Sequence, residues 1–155
     1  MKEIRLILDN IRSVHNVGSI FRTAETAGVK TVYCLGTTPL PVDRFGQKRK
    51  DFIKVSLGAE DLVKWEYQKT GTSLIKKLKK QGFKIIALEQ AEKSVDYRKI
   101  KNVRDVVLIV GNEVGGVSKS LLKLADQIAE IPMKGKKESL NVSVATGIMV
   151  FGMLE

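Results

Sequence analysis

Three stretches of this chain concentrate side chains suited to anions, riboses and flat heterocycles. The first runs Asn10-Ile-Arg-Ser-Val-His-Asn-Val-Gly-Ser-Ile-Phe-Arg-Thr-Ala-Glu25. If a helix starts here, Asn16 and Arg22 can both approach a phosphate or ribose near its terminus. The same residues are also accounted for by Asn16 as a plain helix cap and Arg22 paired with Glu25 on the surface. The second stretch is Val110-Gly-Asn-Glu-Val-Gly-Gly-Val-Ser118. Its glycines permit tight turns and let backbone pass close beside a flat ligand. It lacks both the Gly-Lys-Ser/Thr ending of a phosphate-cradling loop and the Gly-x-Gly-x-x-Gly spacing of a dinucleotide fingerprint. A strand-to-helix turn capped by Ser118 explains it equally well. The third joins Ile131-Pro132-Met133 through a basic loop, with Lys134, Lys136 and Lys137, to Ser139-Leu140-Asn141. Ser139 or Asn141 can cap the helix that follows.

Such distant stretches need a scaffold that gathers them. Residues 4–8 form a compact apolar run that reads as a buried strand. The spacing of Val17, Ile20, Phe21, Ala24 and Ala27 predicts a helix over 17–27, capped by Asn16 and ended by Gly28. Residues 31–35 are β-branched and aromatic, hence a second strand. This βαβ opening argues for an α/β domain with a mostly parallel sheet covered by helices. Periodicity fades over 36–54, which reads as loop or irregular turns. A short helix over 58–63, a short strand over 65–68, a basic helix over 72–80 and a strand over 83–88 follow. After a polar connection, 106–110 has the near-continuous β-branched character of a central parallel strand. Ser118 is read as capping a helix over 119–124, before a strand over 127–131 and a closing helix over 142–154. That last helix is apolar almost all round, with Gly147 and Gly152 allowing close approach. One face can cover the sheet while another meets a second subunit. Five or six strands make one expected domain over 1–155, with no N-terminal extension.

Lysine and arginine number 27 against 17 acidic residues, a formal charge of +10. That balance favours a polyanionic partner such as RNA, DNA or an anionic membrane surface. The cations cluster at Arg44, Lys48, Arg49, Lys50 and Lys54, and again at Lys76, Lys77, Lys79 and Lys80. A lysine-rich solvated face is the alternative account. A lone cysteine, Cys34, excludes an intrachain disulfide, and with a single histidine, His15, no metal site is expected. No signal peptide is read at the start, and the weakly polar stretch 141–154 is too short to span a bilayer. A cytoplasmic protein without a membrane partner is expected.

In order and spacing, the three stretches resemble the three motifs of the SpoU/TrmH branch of the SPOUT methyltransferases, across nearly the whole chain. The resemblance implies an α/β knot, with a deep trefoil knot in the C-terminal third as an exception to the rule against threaded chains. It implies S-adenosylmethionine as cofactor, RNA as substrate, and a homodimer whose site borders the partner subunit. By resemblance, Asn16, Arg22 and Glu25 match the first motif, with Arg22 nearest the chemistry. Gly111, Asn112, Glu113, Gly115 and Gly116 match the second, shaping the cofactor pocket together with Val110. Ile131, Met133, Ser139, Leu140 and Asn141 match the third. Their backbone would bracket adenine and methionine, while Ser139 and Asn141 position the ribose or the first-motif side chains. Arg12, Arg44, Lys48, Arg49, Lys50 and Lys136 are the expected RNA contacts. Val117 stands where many relatives carry leucine, a mild change that keeps the apolar contact.

The implied chemistry is coherent. A ribose 2'-hydroxyl is a poor nucleophile, so its attack on a sulfonium methyl needs alignment and some proton removal. Arginine stays protonated up to a pKa of about 12, so Arg22 is expected to act electrostatically or through an RNA phosphate. Transfer RNA is slightly favoured over ribosomal RNA as substrate. A base methyltransferase on a related knotted scaffold, or an RNA-binding protein of this fold without turnover, are the alternatives.

Overall fold

A computed structural model describes residues 2–155. Seven strands form one parallel sheet: β1 (Glu3–Asp9), β2 (Thr31–Leu35), β3 (Lys64–Gln68), β4 (Lys84–Leu88), β5 (Val95–Asp96), β6 (Asp105–Gly111) and β7 (Gln127–Glu130). Their spatial order is β3-β2-β1-β6-β4-β7-β5. The chain lays β5 at the edge, returns to insert β6 between β1 and β4, then inserts β7 between β4 and β5.

Alternation along each strand sends side chains to two cores. On β6, Val106, Leu108 and Val110 join Ile4, Leu6 and Leu8 of β1 in one cluster, under α1 (Val14–Thr26) and α6 (Val142–Leu154). Val107 and Ile109 point the other way, with Ile7, towards α4 (Thr72–Lys80) and α5 (Lys119–Leu122). A strand buried on both faces must be apolar throughout, which is why β6 reads as an uninterrupted β-branched run. Cys34 lies in the first core, where burial pushes its thiol up to about 12 and keeps it protonated.

Several expectations are corrected. Helix α1 begins at Val14, and its cap is Ser13, whose hydroxyl accepts the Asn16 backbone N–H at 3.1 Å. Asn16 is therefore inside the first turn, with its side chain free for other partners. Within 36–54, read as loop, α2 (Lys50–Ser56) begins; the short helix expected over 58–63 is present as α3 (Ala59–Leu62). Charged Lys50, Asp51 and Lys54 mask the periodicity of α2, yet its buried Phe52 packs edge-on against Phe21 at 5.1 Å. Ser118 makes no side-chain cap to α5; its backbone N–H donates instead to Asp9 Oδ2 at 2.7 Å. That helix ends at Leu122 rather than 124. The two-residue β5, inside the supposed polar connection, makes the strands seven rather than five or six.

Helix α6 spans 142–154 as expected, and Asn141 caps it through the Ser143 N–H at 2.9 Å. Thr146, Met149, Val150 and Met153 are buried, while Val144, Phe151 and Leu154 on other sides stay open. At Gly152 a Cβ would lie 2.9 Å from the Tyr97 ring, so glycine permits that approach; at Gly147 the nearest atom is an ordinary 3.8 Å away.

Candidate active site

The carboxyl ends of β4, β6 and β7 open onto a cavity of about 550 Å³. A crevice at the carboxyl ends of parallel strands is where α/β sheets hold ligands, because the connecting loops diverge there. One wall is the turn after β6, from Gly111 to Gly116; the other is the segment after β7, from Ile131 to Asn141. Leu88, Val110, Met133, Leu140, Val142 and Ala145 give it apolar surface. The charged side chains lining it are Glu89, Glu113, Glu130 and Glu138, with no lysine or arginine among them.

The turn after β6 folds tightly on itself. Asn112 and Gly116 exchange both backbone hydrogen bonds, at 3.0 and 2.9 Å. Asn112 Oδ1 accepts the N–H groups of Val114 and Gly115, and its Nδ2 donates to the Asn10 carbonyl at 2.7 Å. Gly111 is glycine for a steric reason, since a Cβ there would sit 2.2 Å from the Gly116 carbonyl carbon and the Val117 nitrogen. Gly116 combines a φ of +69° with the Glu89 carboxylate, which lies 2.0 Å from where its Cβ would be.

Glu113 links all three stretches. It accepts the Arg12 and Ser13 backbone N–H groups at 3.1 and 3.2 Å, and the Asn16 amide at 3.1 Å. Asn16 Oδ1 then accepts Asn141 Nδ2 at 3.1 Å. Burial alone pushes the Glu113 carboxyl up, but the hydrogen bonds from Arg12, Asn16 and Ser13 outweigh it and hold it below its ordinary 4.5. A carboxylate with a depressed pKa stabilises the fold above its unfolded value and loses that contribution as pH falls through the folded one. The stability deficit of Glu113→Gln should therefore be full near pH 6 and shrink as acid is added below about pH 4.5. Urea midpoints of both proteins across that range check this; a deficit independent of pH contradicts it.

The structure gathers most of the expected site residues. Val110, Gly111, Asn112, Glu113, Ile131, Met133, Ser139, Leu140 and Asn141 all line the cavity, and Asn16 joins it through Asn141. Gly115 does not; it is exposed, and its N–H serves the turn itself. Arg22 and Glu25 are exposed on α1, outside the cavity, and form no ion pair among the described residues. Six residues along a helix turn Arg22 about 120° away from Asn16 and raise it about 9 Å. Of the expected RNA contacts, Arg12 and Lys136 are exposed on the two walls' flanks. Lys48 pairs with Asp61 at 2.6 Å and Arg49 with Asp51 at 2.8 Å, while Arg44 lies over the Phe45 ring. Sequence reasoning missed Leu88, Glu89, Gln90, Glu130 and Glu138. Their positions at or beyond the ends of β4 and β7 were a signal, but only the strand order sets β4 between β6 and β7.

Among the described residues no cluster of three His, Cys, Asp or Glu side chains could hold a metal, and no helix is long and apolar enough to cross a membrane. A profile of the SpoU rRNA Methylase family matches residues 3–151. The chain is 34% identical over 153 residues to a tRNA (guanosine(18)-2'-O)-methyltransferase of Aquifex aeolicus, covering 97% of this chain and 68% of that protein. It is 30% identical over 149 residues to the enzyme of the same name from Escherichia coli, covering 96% of this chain and 62% of the relative. The crystal structure of an AdoMet-bound rRNA methyltransferase from Sinorhizobium meliloti superposes with a TM-score of 0.87 at 32% identity, over 98% of this chain and 56% of that one. With its cavity built from the same three stretches, this chain belongs to the SpoU/TrmH family of knotted RNA 2'-O-methyltransferases.

Proposed function

We propose that this chain methylates a ribose 2'-hydroxyl of RNA, with transfer RNA as the substrate class, using S-adenosylmethionine. The observation that carries the reading is the junction of Glu113, Asn16 and Asn141, one from each stretch, at the edge of a 550 Å³ cavity. The cavity suits the cofactor in size and chemistry. Its apolar walls fit an adenine ring, and its carboxylates fit a ligand carrying ammonium and sulfonium charge. When bound, S-adenosylmethionine supplies an electrophilic methyl group on a positively charged sulfur.

The chain's own residues do the rest. The backbone of Gly111 and of residues 131–140 holds the cofactor's flat and polar edges. Asn16 and Asn141, locked to each other and to Glu113, fix the mouth of the cavity. The Ser139 hydroxyl lines the cavity and has no partner among the described residues, so it is available to a ribose. Arg22 meets the reacting ribose or its phosphate from a second copy of the chain, lowering the cost of the developing alkoxide. Supporting a homodimer, α6 leaves Val144, Phe151 and Leu154 uncovered beside α1, which carries Arg22. RNA is drawn in by the +10 charge, through Arg12, Arg44, Lys50 and Lys136.

The test is methyl transfer from labelled S-adenosylmethionine to transfer RNA and, separately, to ribosomal RNA, followed by digestion to nucleosides. Label on a 2'-O-methylated nucleoside of transfer RNA is the expected result. Label on a base, or none on either RNA by a protein that binds the cofactor, sinks the proposal.

A further inference from the structure

We propose that Glu89 and Gln90, the two residues following β4, are the positioning pair of the cofactor cavity, tying its two walls to one strand end. The inference rests on reading the cavity as the S-adenosylmethionine site. Strand β4 lies between β6 and β7, so the residues just past its end stand between the two wall segments. The Glu89 N–H still follows the ladder, donating to the Ala129 carbonyl at 2.9 Å. From that fixed backbone, Glu89 Oε2 accepts the Val117 N–H at 2.8 Å, and Oε1 accepts the Gln90 N–H at 3.0 Å. The absent Cβ of Gly116 leaves the space this carboxylate occupies. Gln90 turns to the other wall, where its Nε2 donates to the Glu138 carbonyl at 2.8 Å.

The segment after β7 has little else to hold it, whereas the turn after β6 is also closed on itself and tied to Asn10, Arg12, Ser13 and Asn16. Val114 is 87% exposed, and residues 134–141 are exposed throughout. Among the described residues, the Gln90 bond is the one hydrogen bond that reaches residues 132–140. A segment with so little buried apolar surface samples many conformations, and the ligand must then order it on binding. A single side-chain tether from a strand end removes part of that cost beforehand. Glu89 does the same for the turn after β6, with a charged acceptor that strengthens its bond.

The effect should therefore show in cofactor affinity and in the free protein, more than in turnover at saturation. Calorimetric titration of the full chain with S-adenosylmethionine, without RNA, should give a Kd raised about tenfold in both Gln90→Ala and Glu89→Ala. Glu89→Gln, which keeps an acceptor, should fall between Glu89→Ala and the parent. Gln90 is exposed, so Gln90→Ala should melt with the parent. Hydrogen exchange of the ligand-free protein gives a second reading, with residues 132–140 exchanging faster in Gln90→Ala. Unchanged affinity and unchanged exchange in Gln90→Ala, in a protein whose parent binds the cofactor, overturn the pairing. A parent that does not bind the cofactor overturns the reading of the cavity itself, and the inference with it.

Discussion

Arg22→Ala is expected to lower turnover about 10²–10³-fold while leaving cofactor affinity within about twofold. The split follows from position. Arg22 does not line its own chain's cavity, and α1 turns it away from Asn16, so removing it leaves every wall contact in place. Its exposure and lack of ion pairs mean that the fold should melt unchanged. If it serves a second copy's cavity, mixing two inactive variants should restore activity. Pair Arg22→Ala with Leu140→Arg, which blocks the cavity from an exposed position. Random reassortment in a two-fold dimer makes half the dimers mixed, each with one complete site, so about a quarter of parental activity should return. Action within one chain predicts no recovery. A monomer in sedimentation, with full activity, removes the dimer from the proposal.

Gly111→Ala should have the largest effect on folding. Its Cβ would lie 2.2 Å from two backbone atoms, at Gly116 and Val117, and neither can rotate aside as a side-chain tip would. Relief requires opening the Asn112–Gly116 pair that closes the turn. Overpacking of this kind costs about 3 kcal/mol, which for a chain of this size lowers Tm by roughly 6–12 °C. Cofactor binding should be lost with it, because the turn is one wall of the cavity. Gly135→Ala is the matched control: nothing lies within 4 Å of its Cβ, and its melting curve should be that of the parent. Equal melting of the two variants contradicts the steric account.

Both predictions show where local reading works and where it stops. That Gly111 belongs to a site was legible from the glycine-rich run after an apolar strand. Why it must be glycine was not, because the blocking atoms arrive only when the turn closes. Asn16 was singled out for its type and place in the first stretch. Its role changed from cap to partner of Glu113 and Asn141 once Ser13 took the helix start. Helical spacing sets Arg22 off the apolar arc of Ile20, Phe21 and Ala24, and in the structure it is exposed. Spacing does not say what that face meets.

By itself the sequence determined the α/β class, the strands β1, β2 and β6, the closing helix with a cap at Ser139 or Asn141, and the three stretches that build the cavity. Each of these is written in neighbours a few residues apart, through side-chain alternation, helical spacing and caps. Tertiary structure decided the strand order, the two-residue β5, the packing of α2 through Phe52, and the entry of Glu89 and Gln90 between the cavity walls. Those rest on contacts between residues far apart in the chain, such as Asn16 with Asn141. Periodicity records that a face is buried but carries no mark of the partner that buries it.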